Sequence, residues 1–214
     1  DFYKTRKERI LLSKKVHPSL ITRGVPGTHD VSSMFSFFKR VKSKNFRALK
    51  LPKFNKAIDD RYNKKLWHSI KKKPDIIIFE GWCVGARAEK NNSLKKAINS
   101  LERNSDKKLI WRKFVNQQLK LKYKKLYTQL DCLLFLKANN FRLLQQWRLK
   151  QEKKLWLKNK RSRNNKIMNK KDVIKFMQTY QRITQNMLKH APKYSSMILN
   201  LNRNHQIKSV KYKL

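Results

Sequence analysis

All four glycines of the chain fall in two short stretches, RGVPGTHD (Arg23 to Asp30) and FEGWCVGA (Phe79 to Ala86), and both stretches carry ionisable side chains. Glycine resists replacement where the backbone takes a positive φ or where a ligand comes too close for a Cβ. Glycines confined in this way beside Arg23, His29, Asp30 and Glu80 mark a candidate site where a charged ligand meets open backbone. The bland alternative is that they only punctuate turns. Glu80 has a further argument behind it. It ends the run Ile76-Ile77-Ile78-Phe79, whose length and β-branched content predict a strand buried on both faces of a parallel sheet. Ligands of open α/β sheets bind outside the carboxyl ends of the strands, so Glu80 is expected at the rim of such a crevice. The competing reading makes it a cap for a following helix.

The elements that must position these groups follow from hydrophobic spacing. Leu130 to Leu136 (LDCLLFL) and Met197 to Leu201 (MILNL) are two more short apolar runs with strand character. Between the runs, Val115, Leu119, Tyr123, Leu126 and Leu130 recur at helical intervals, as do Val173, Phe176, Tyr180, Ile183 and Met187. Ser32 to Lys42 and Phe141 to Lys158 also read as helices. The aromatic and Met residues on these stripes are assigned to the core. Strands alternating with helices predict a layered α/β domain with a mainly parallel sheet.

Composition narrows the function classes. The chain has 214 residues and a formal charge of +42. Such charge opposes compaction, yet Leu, Ile, Val and Phe supply 58 residues, enough for a core. There is no apolar run of the roughly 18 residues that span a bilayer and no apolar core in DFYKTRKERI, so neither a membrane-spanning nor a secreted protein is expected. Cys83 and Cys132 have no metal-ligand spacing, so a disulfide scaffold and a zinc finger are set aside and a reducing cytoplasm is expected. The basic residues are dispersed, with 40 Lys to 15 Arg, and 18 Asn accompany them. That pattern fits solvent positions drifting toward A/T-rich codons; any nucleic-acid binding is expected to be weak and non-specific. Arg148 to Lys171 is the local exception, with eleven Lys and Arg facing the single acid Glu152.

The string DFYKTRKERILLSKKVHPSLITRGVPGTHDV resembles the corresponding segment of the bacterial D-glycerate 3-kinase-like P-loop kinases, relatives of uridine kinase, pantothenate kinase and phosphoribulokinase. The likeness continues in order through LPKFNKAIDDR, PDIIIFEGWCVGAR, WRKFVNQQL, QWRLKQEKKL and MNKKDVIKFMQTYQRITQNML, covering nearly the whole chain. It implies one kinase-like domain over 1–214 with a P-loop NTPase-type fold. The implied activity is ATP-dependent phosphoryl transfer to a hydroxyl of D-glycerate or a similar small hydroxy acid, with ATP and Mg2+ as cofactors. Glu80 is then the acid that helps hold magnesium. Arg23, Thr28, His29 and Asp30 correspond to acceptor-substrate residues, Arg23 being suited to a bidentate pair with a carboxylate. The stretch 148–171 falls where these kinases carry a lid, with Arg148 and Lys150 as candidates to meet ATP phosphates on closure.

Two motif elements of the family are missing from these residues. Phosphate binding there uses a G-x4-G-K-[ST] loop, and the four glycines here offer no such spacing. Asp1 matches the second acid of the family's DDFY motif, which makes it the neighbour of the expected catalytic carboxylate. The resemblance therefore implies an N-terminally truncated chain, lacking its first strands, that by itself neither binds ATP nor phosphorylates glycerate. The alternative is an inactive, strongly basic remnant that binds RNA or other polyanions.

Overall fold

The computed structural model describes residues 1–56, 58–158 and 168–212. In chain order the helices are α1 (Arg6–Lys15), α2 (Val31–Lys42), α3 (Asn91–Lys95), α4 (Ser100–Asn104), α5 (Ile110–Gln118), α6 (Lys124–Tyr127), α7 (Phe141–Lys158) and α8 (Lys170–His190). The strands are β1 (Leu49–Leu51), β2 (Phe54–Asn55), β3 (Asp60–Arg61), β4 (His68–Ile70), β5 (Leu134–Lys137), β6 (Met197–Leu201) and β7 (Ile207–Tyr212). Packing groups these into two compact units, one of Asp1–Lys95 with Lys108–Leu130, the other of Lys96–Lys107 with Asp131–Leu214. The fold is mixed α/β, as the alternation of runs and stripes implies.

In the first unit, α1 begins at a capping box absent from the sequence reading. Thr5 accepts the Glu8 N–H through its hydroxyl while its own N–H donates to the Glu8 carboxylate, so two orphan donors are satisfied at once. The helix α2 starts where Asp30 accepts the Ser33 N–H, and Val31, Met34, Phe38 and Val41 form its buried face. The helical stripe beginning at Val115 runs through α5, a π turn at Leu119–Tyr123 and α6, with Val115, Leu119, Tyr123 and Leu126 all buried. Two small antiparallel pairs, β1 with β4 and β2 with β3, complete this unit.

The expected strand at Ile76–Phe79 is not formed. A strand buried on both faces needs neighbours on both edges, and among the described residues nothing pairs with 76–80. The segment has no ladder, and Ile76 and Ile78 are 82% and 88% exposed. Glu80 accordingly lies in irregular backbone rather than at a strand end.

The second unit holds the parallel pairing. β5 and β6 align Leu134 with Met197 through Lys137 with Asn200, and β7 returns antiparallel on the far side of β6. The run at 197–201 is a strand over its whole length. In the run at 130–136 the strand starts only at Leu134, because Leu130 still closes a helical turn onto the Tyr127 carbonyl. Helix α7 spans the expected Phe141 to Lys158. Helix α8 is capped by Asn169 and buries Val173, Ile183 and Met187, while Phe176 and Tyr180 stay half-buried with rings 4.7 Å apart. A buried Glu102 takes both oxygens to Arg182 at 2.7 Å and joins α4 to α8.

Candidate functional site

The two glycine stretches come together in the first unit. Gly24 and Gly27 hold φ of 115° and 101°, where an L side chain is strained. At Gly27 there is also no room, since a Cβ would meet Phe114 Cε1 at 2.5 Å. Thr28 is fully buried, and its hydroxyl accepts the Gly24 N–H while donating to the Val25 carbonyl. Its side chain is thus committed to closing the loop. The Trp82 indole N–H donates to the Gly24 carbonyl at 2.8 Å, which seats the second stretch on the first. That stretch is itself turned by Val84 N–H to the Gly81 carbonyl, and Tyr127 anchors it by donating its hydroxyl to the Cys83 carbonyl. Burial pushes the Cys83 thiol up to about 12, so it is inert.

Residues 1–4 run antiparallel beside the loop, with Lys4 N–H donating to the Thr28 carbonyl and Asp30 N–H to the Phe2 carbonyl. This brings Tyr3 onto His29 with ring centroids 5.1 Å apart and planes at 28°. Burial pushes the His29 imidazole down to about 4, so the ring is neutral near pH 7. Its Nδ1 lies 2.6 Å from the Tyr123 hydroxyl. Burial raises the Tyr3 phenol; Arg23 acts against that, and the charge of nearby Glu80 adds to it. Glu80 is exposed, and the Asp1 carboxylate, which accepts the Phe54 N–H at 3.3 Å, is exposed as well. Burial alone would raise the Asp30 carboxyl, but the Ser33 hydroxyl and amide and the Arg61 guanidinium, 3.0 Å away, hold it below its ordinary value. Asp30 therefore works as a helix cap and as an anchor for Arg61.

Arg23 belongs to a cationic cluster that sequence reasoning missed. Asp59, held in the left-handed region at φ 59°, pairs with Arg6 at 3.2 Å, with the fully buried Arg9 at 2.9 Å and with Arg23. Arg9 also donates to the carbonyls of Lys4, Ile21 and Asp59. Three guanidiniums share the Asp59 carboxylate, and with Asp60 beside them accepting the Arg6 N–H the group still leaves a net positive site beside the loop. The signal lay in the paired acids of LPKFNKAIDDR and in the spacing of Arg6 and Arg9 on α1. Tyr123 was visible too, but only as one member of an apolar stripe.

Within the second unit, Arg148 donates to Gln151 at 2.8 Å, pairs with the buried Glu152 and stands 5.5 Å over the Phe176 ring. Glu152 accepts the Met168 N–H as well. The guanidinium is thus held by α7 and α8 in this conformation. Lys150 is exposed. The centre of the expected lid, residues 159–167, lies outside the described residues, as does Lys160. Among the described residues no three His, Cys, Asp or Glu side chains gather as a metal cage. A magnesium ion bound by one or two carboxylates plus substrate phosphates needs no such cage, and the exposed Glu80 oxygen suits that mode.

No protein-family model matches the chain. It is 29% identical over 188 residues to a protein of Schizosaccharomyces pombe named as the uncharacterized kinase mug58, a match covering 84% of this chain and 65% of the relative. Against the chloroplastic D-glycerate 3-kinase of Arabidopsis thaliana it is 24% identical over 160 residues, 71% of this chain and 33% of that enzyme. The chain thus spans less than two thirds of the length of either relative. In structure it matches D-glycerate 3-kinase from Cryptococcus neoformans var. grubii with a TM-score of 0.81 at 24% identity, over 99% of this chain and 77% of the other. Sequence and fold therefore agree with the kinase resemblance carried by the motifs.

Proposed function

We propose that the chain is the acceptor-site part of an ATP-dependent small-molecule kinase, a single kinase-like domain over 1–214, acting on a hydroxyl of D-glycerate or a similar small hydroxy acid. The observation that supports this most is the Trp82 to Gly24 hydrogen bond. It sets the Glu80 stretch against a loop flanked by His29 and the Arg6, Arg9 and Arg23 cluster. A carboxylate for magnesium, a neutral imidazole and a net positive site for an anion thus share one neighbourhood. Phosphoryl transfer asks mainly for positioning and charge. Bound Mg-ATP would supply the phosphoryl group and neutralise its developing charge.

The chain's own residues take the remaining tasks. The cluster on Asp59 attracts the acid's carboxylate, since three guanidiniums against the carboxylates of Asp59 and Asp60 leave a field that favours an anion. Arg23, half-buried and lying over Phe54 at 5.5 Å, is the member we assign to it, in line with the resemblance. Glu80, exposed beside the loop, would help hold the magnesium that neutralises phosphate charge. Asp30 and Thr28 act indirectly by fixing the loop, and Arg148 with Lys150 remain the candidates for the phosphates. The test is turnover of Mg-ATP with D-glycerate, glycolate and L-lactate, measured on these 214 residues and on a chain extended to carry a phosphate loop. Magnesium-dependent phosphorylation of D-glycerate by the extended chain supports the reading. Turnover of none of the three acids refutes it.

A further inference from the structure

Tyr123 reaches the candidate site through an irregularity in its helix. It ends the π turn at Leu119–Tyr123, and single π turns recur at functional sites. Here the turn delivers a tyrosine only 2% exposed to the underside of the Gly27-His29 loop. Its hydroxyl oxygen accepts the Gly27 N–H at 3.2 Å and lies 2.6 Å from Nδ1 of His29.

The direction of that second hydrogen bond follows from counting donors. A phenol carries one proton to give, and a buried O–H needs an acceptor. Among the described residues His29 Nδ1 is the acceptor within reach. If Nδ1 carried the imidazole proton, the Tyr123 oxygen would receive two N–H groups and its own proton would point at nothing. The arrangement closes only when Tyr123 donates to a bare Nδ1, which leaves the ring proton on Nε2. The ring is also held in orientation, stacked on Tyr3 at 5.1 Å and edge-on to Tyr123 at 5.9 Å and 68°. Burial that keeps the imidazole neutral supports the same state.

We propose that Tyr123 is a positioning residue that locks His29 as the Nε2–H tautomer, so that His29 offers a neutral hydrogen-bond donor to an oxygen of the acceptor substrate and does not act as the base that deprotonates it. A base needs a bare nitrogen facing the proton it takes, and the bare nitrogen here is occupied by Tyr123. The identity of the ligand rests on the kinase reading; the tautomer does not.

Long-range 1H–15N correlations of the imidazoles in the 15N-labelled full chain near pH 7 read the tautomer directly, with His29 identified by its loss in His29→Gln. A protonated Nε2 and a bare Nδ1 are expected. In Tyr123→Phe the Nδ1 resonance should shift as its hydrogen bond disappears, and in the wild type D-glycerate or glycolate should shift the Nε2 proton. A protonated Nδ1 in the wild type overturns the proposal whatever the substrate, and it needs no variant to fold. An Nδ1 resonance unmoved in folded Tyr123→Phe overturns the lock. An Nε2–H that neither acid perturbs overturns the donor role. Failure of the kinase reading would show separately, as absent Mg-ATP turnover by the extended chain.

Discussion

Asp59→Asn isolates the charge that holds the arginine cluster together. Asparagine tolerates the left-handed conformation that Asp59 adopts, and it keeps the size of the side chain and the backbone carbonyl that Arg9 uses. What it removes is the negative charge facing Arg6, Arg9 and Arg23. Arg9 is the costly member because its side chain has no exposure to water. Breaking a buried ion pair from one side costs about 3–5 kcal/mol. Three retained hydrogen bonds from Arg9 to backbone carbonyls, and the partial exposure of Asp59, pull the figure toward the lower end. We expect about 3 kcal/mol, which for a chain of this length lowers Tm by roughly 6–12 °C. Arg6→Ala is the control: half of that side chain is exposed, so its pair contributes about 0–1 kcal/mol. Thermal unfolding of wild type, Asp59→Asn and Arg6→Ala, followed by circular dichroism, decides the matter. If Asp59→Asn unfolds within 2 °C of wild type, the cluster is held by its backbone hydrogen bonds and the carboxylate is not its centre.

The remaining expectations concern the loop and the metal. Gly27→Ala should lose roughly 1–3 kcal/mol, because its Cβ would collide with Phe114 at a positive φ; unchanged denaturant stability would contradict the packing described. His29 is depressed from 6.5 to about 4 in the fold, so its contribution is present in full above pH 6.5 and is lost as pH falls to about 4. His29→Gln should therefore flatten stability against pH across that window, removing at most roughly 3 kcal/mol of variation. Glu80→Gln in an active, extended chain should lower magnesium-dependent turnover by about tenfold or more, a loss of about 1.4 kcal/mol or more in transition-state stabilisation, with stability nearly unchanged because Glu80 is exposed. Calorimetry of these 214 residues with Mg-ATP should show no micromolar binding, since no glycine spacing here forms the phosphate cradle.

Legibility tracked how local each signal was. The stripe from Val173 to Met187 and the run MILNL were readable because one face or one strand is encoded in consecutive residues, and α8 and β6 follow them closely. The helix α1 went unread although Thr5 and Glu8 stand at capping-box spacing, because the apolar content of RKERILLSKK forms no clear stripe. At Ile76–Phe79 the composition was that of a strand, but strand formation is decided by a partner elsewhere in the chain, and residue types alone do not supply one. The site divided in the same way. Both glycine stretches were legible from their confinement. That Thr28 closes the loop and Asp30 caps a helix was not, since a hydroxyl or carboxylate in a sequence does not announce whether backbone or ligand will claim it. Asp59 and Tyr123 matter through contacts 36 or more residues away, Asp59 with Arg23 and Tyr123 with His29.

One regularity joins the cluster to the rest of the molecule and gives the composition a structural meaning. Lysine outnumbers arginine 40 to 15, yet four of the acids that are buried or half-buried are held by arginines: Asp30 by Arg61, Asp59 by Arg6, Arg9 and Arg23, Glu102 by Arg182, and Glu152 by Arg148. The pair of Lys4 with Glu8 is a long contact at 3.9 Å between a half-buried lysine and an exposed glutamate. A planar fork satisfies a carboxylate with two parallel N–H groups and still reaches a backbone carbonyl, as Arg182 does with Glu102 and Lys96. An ammonium offers a point charge on a flexible stem and keeps its water more tightly. Where a position only had to be wet, lysine serves; where these four carboxylates leave water, the fork meets their geometry. The high positive charge on this chain therefore holds two populations with different physics, and the arginines that hold Asp30 and Asp59 are the ones that shape the candidate site.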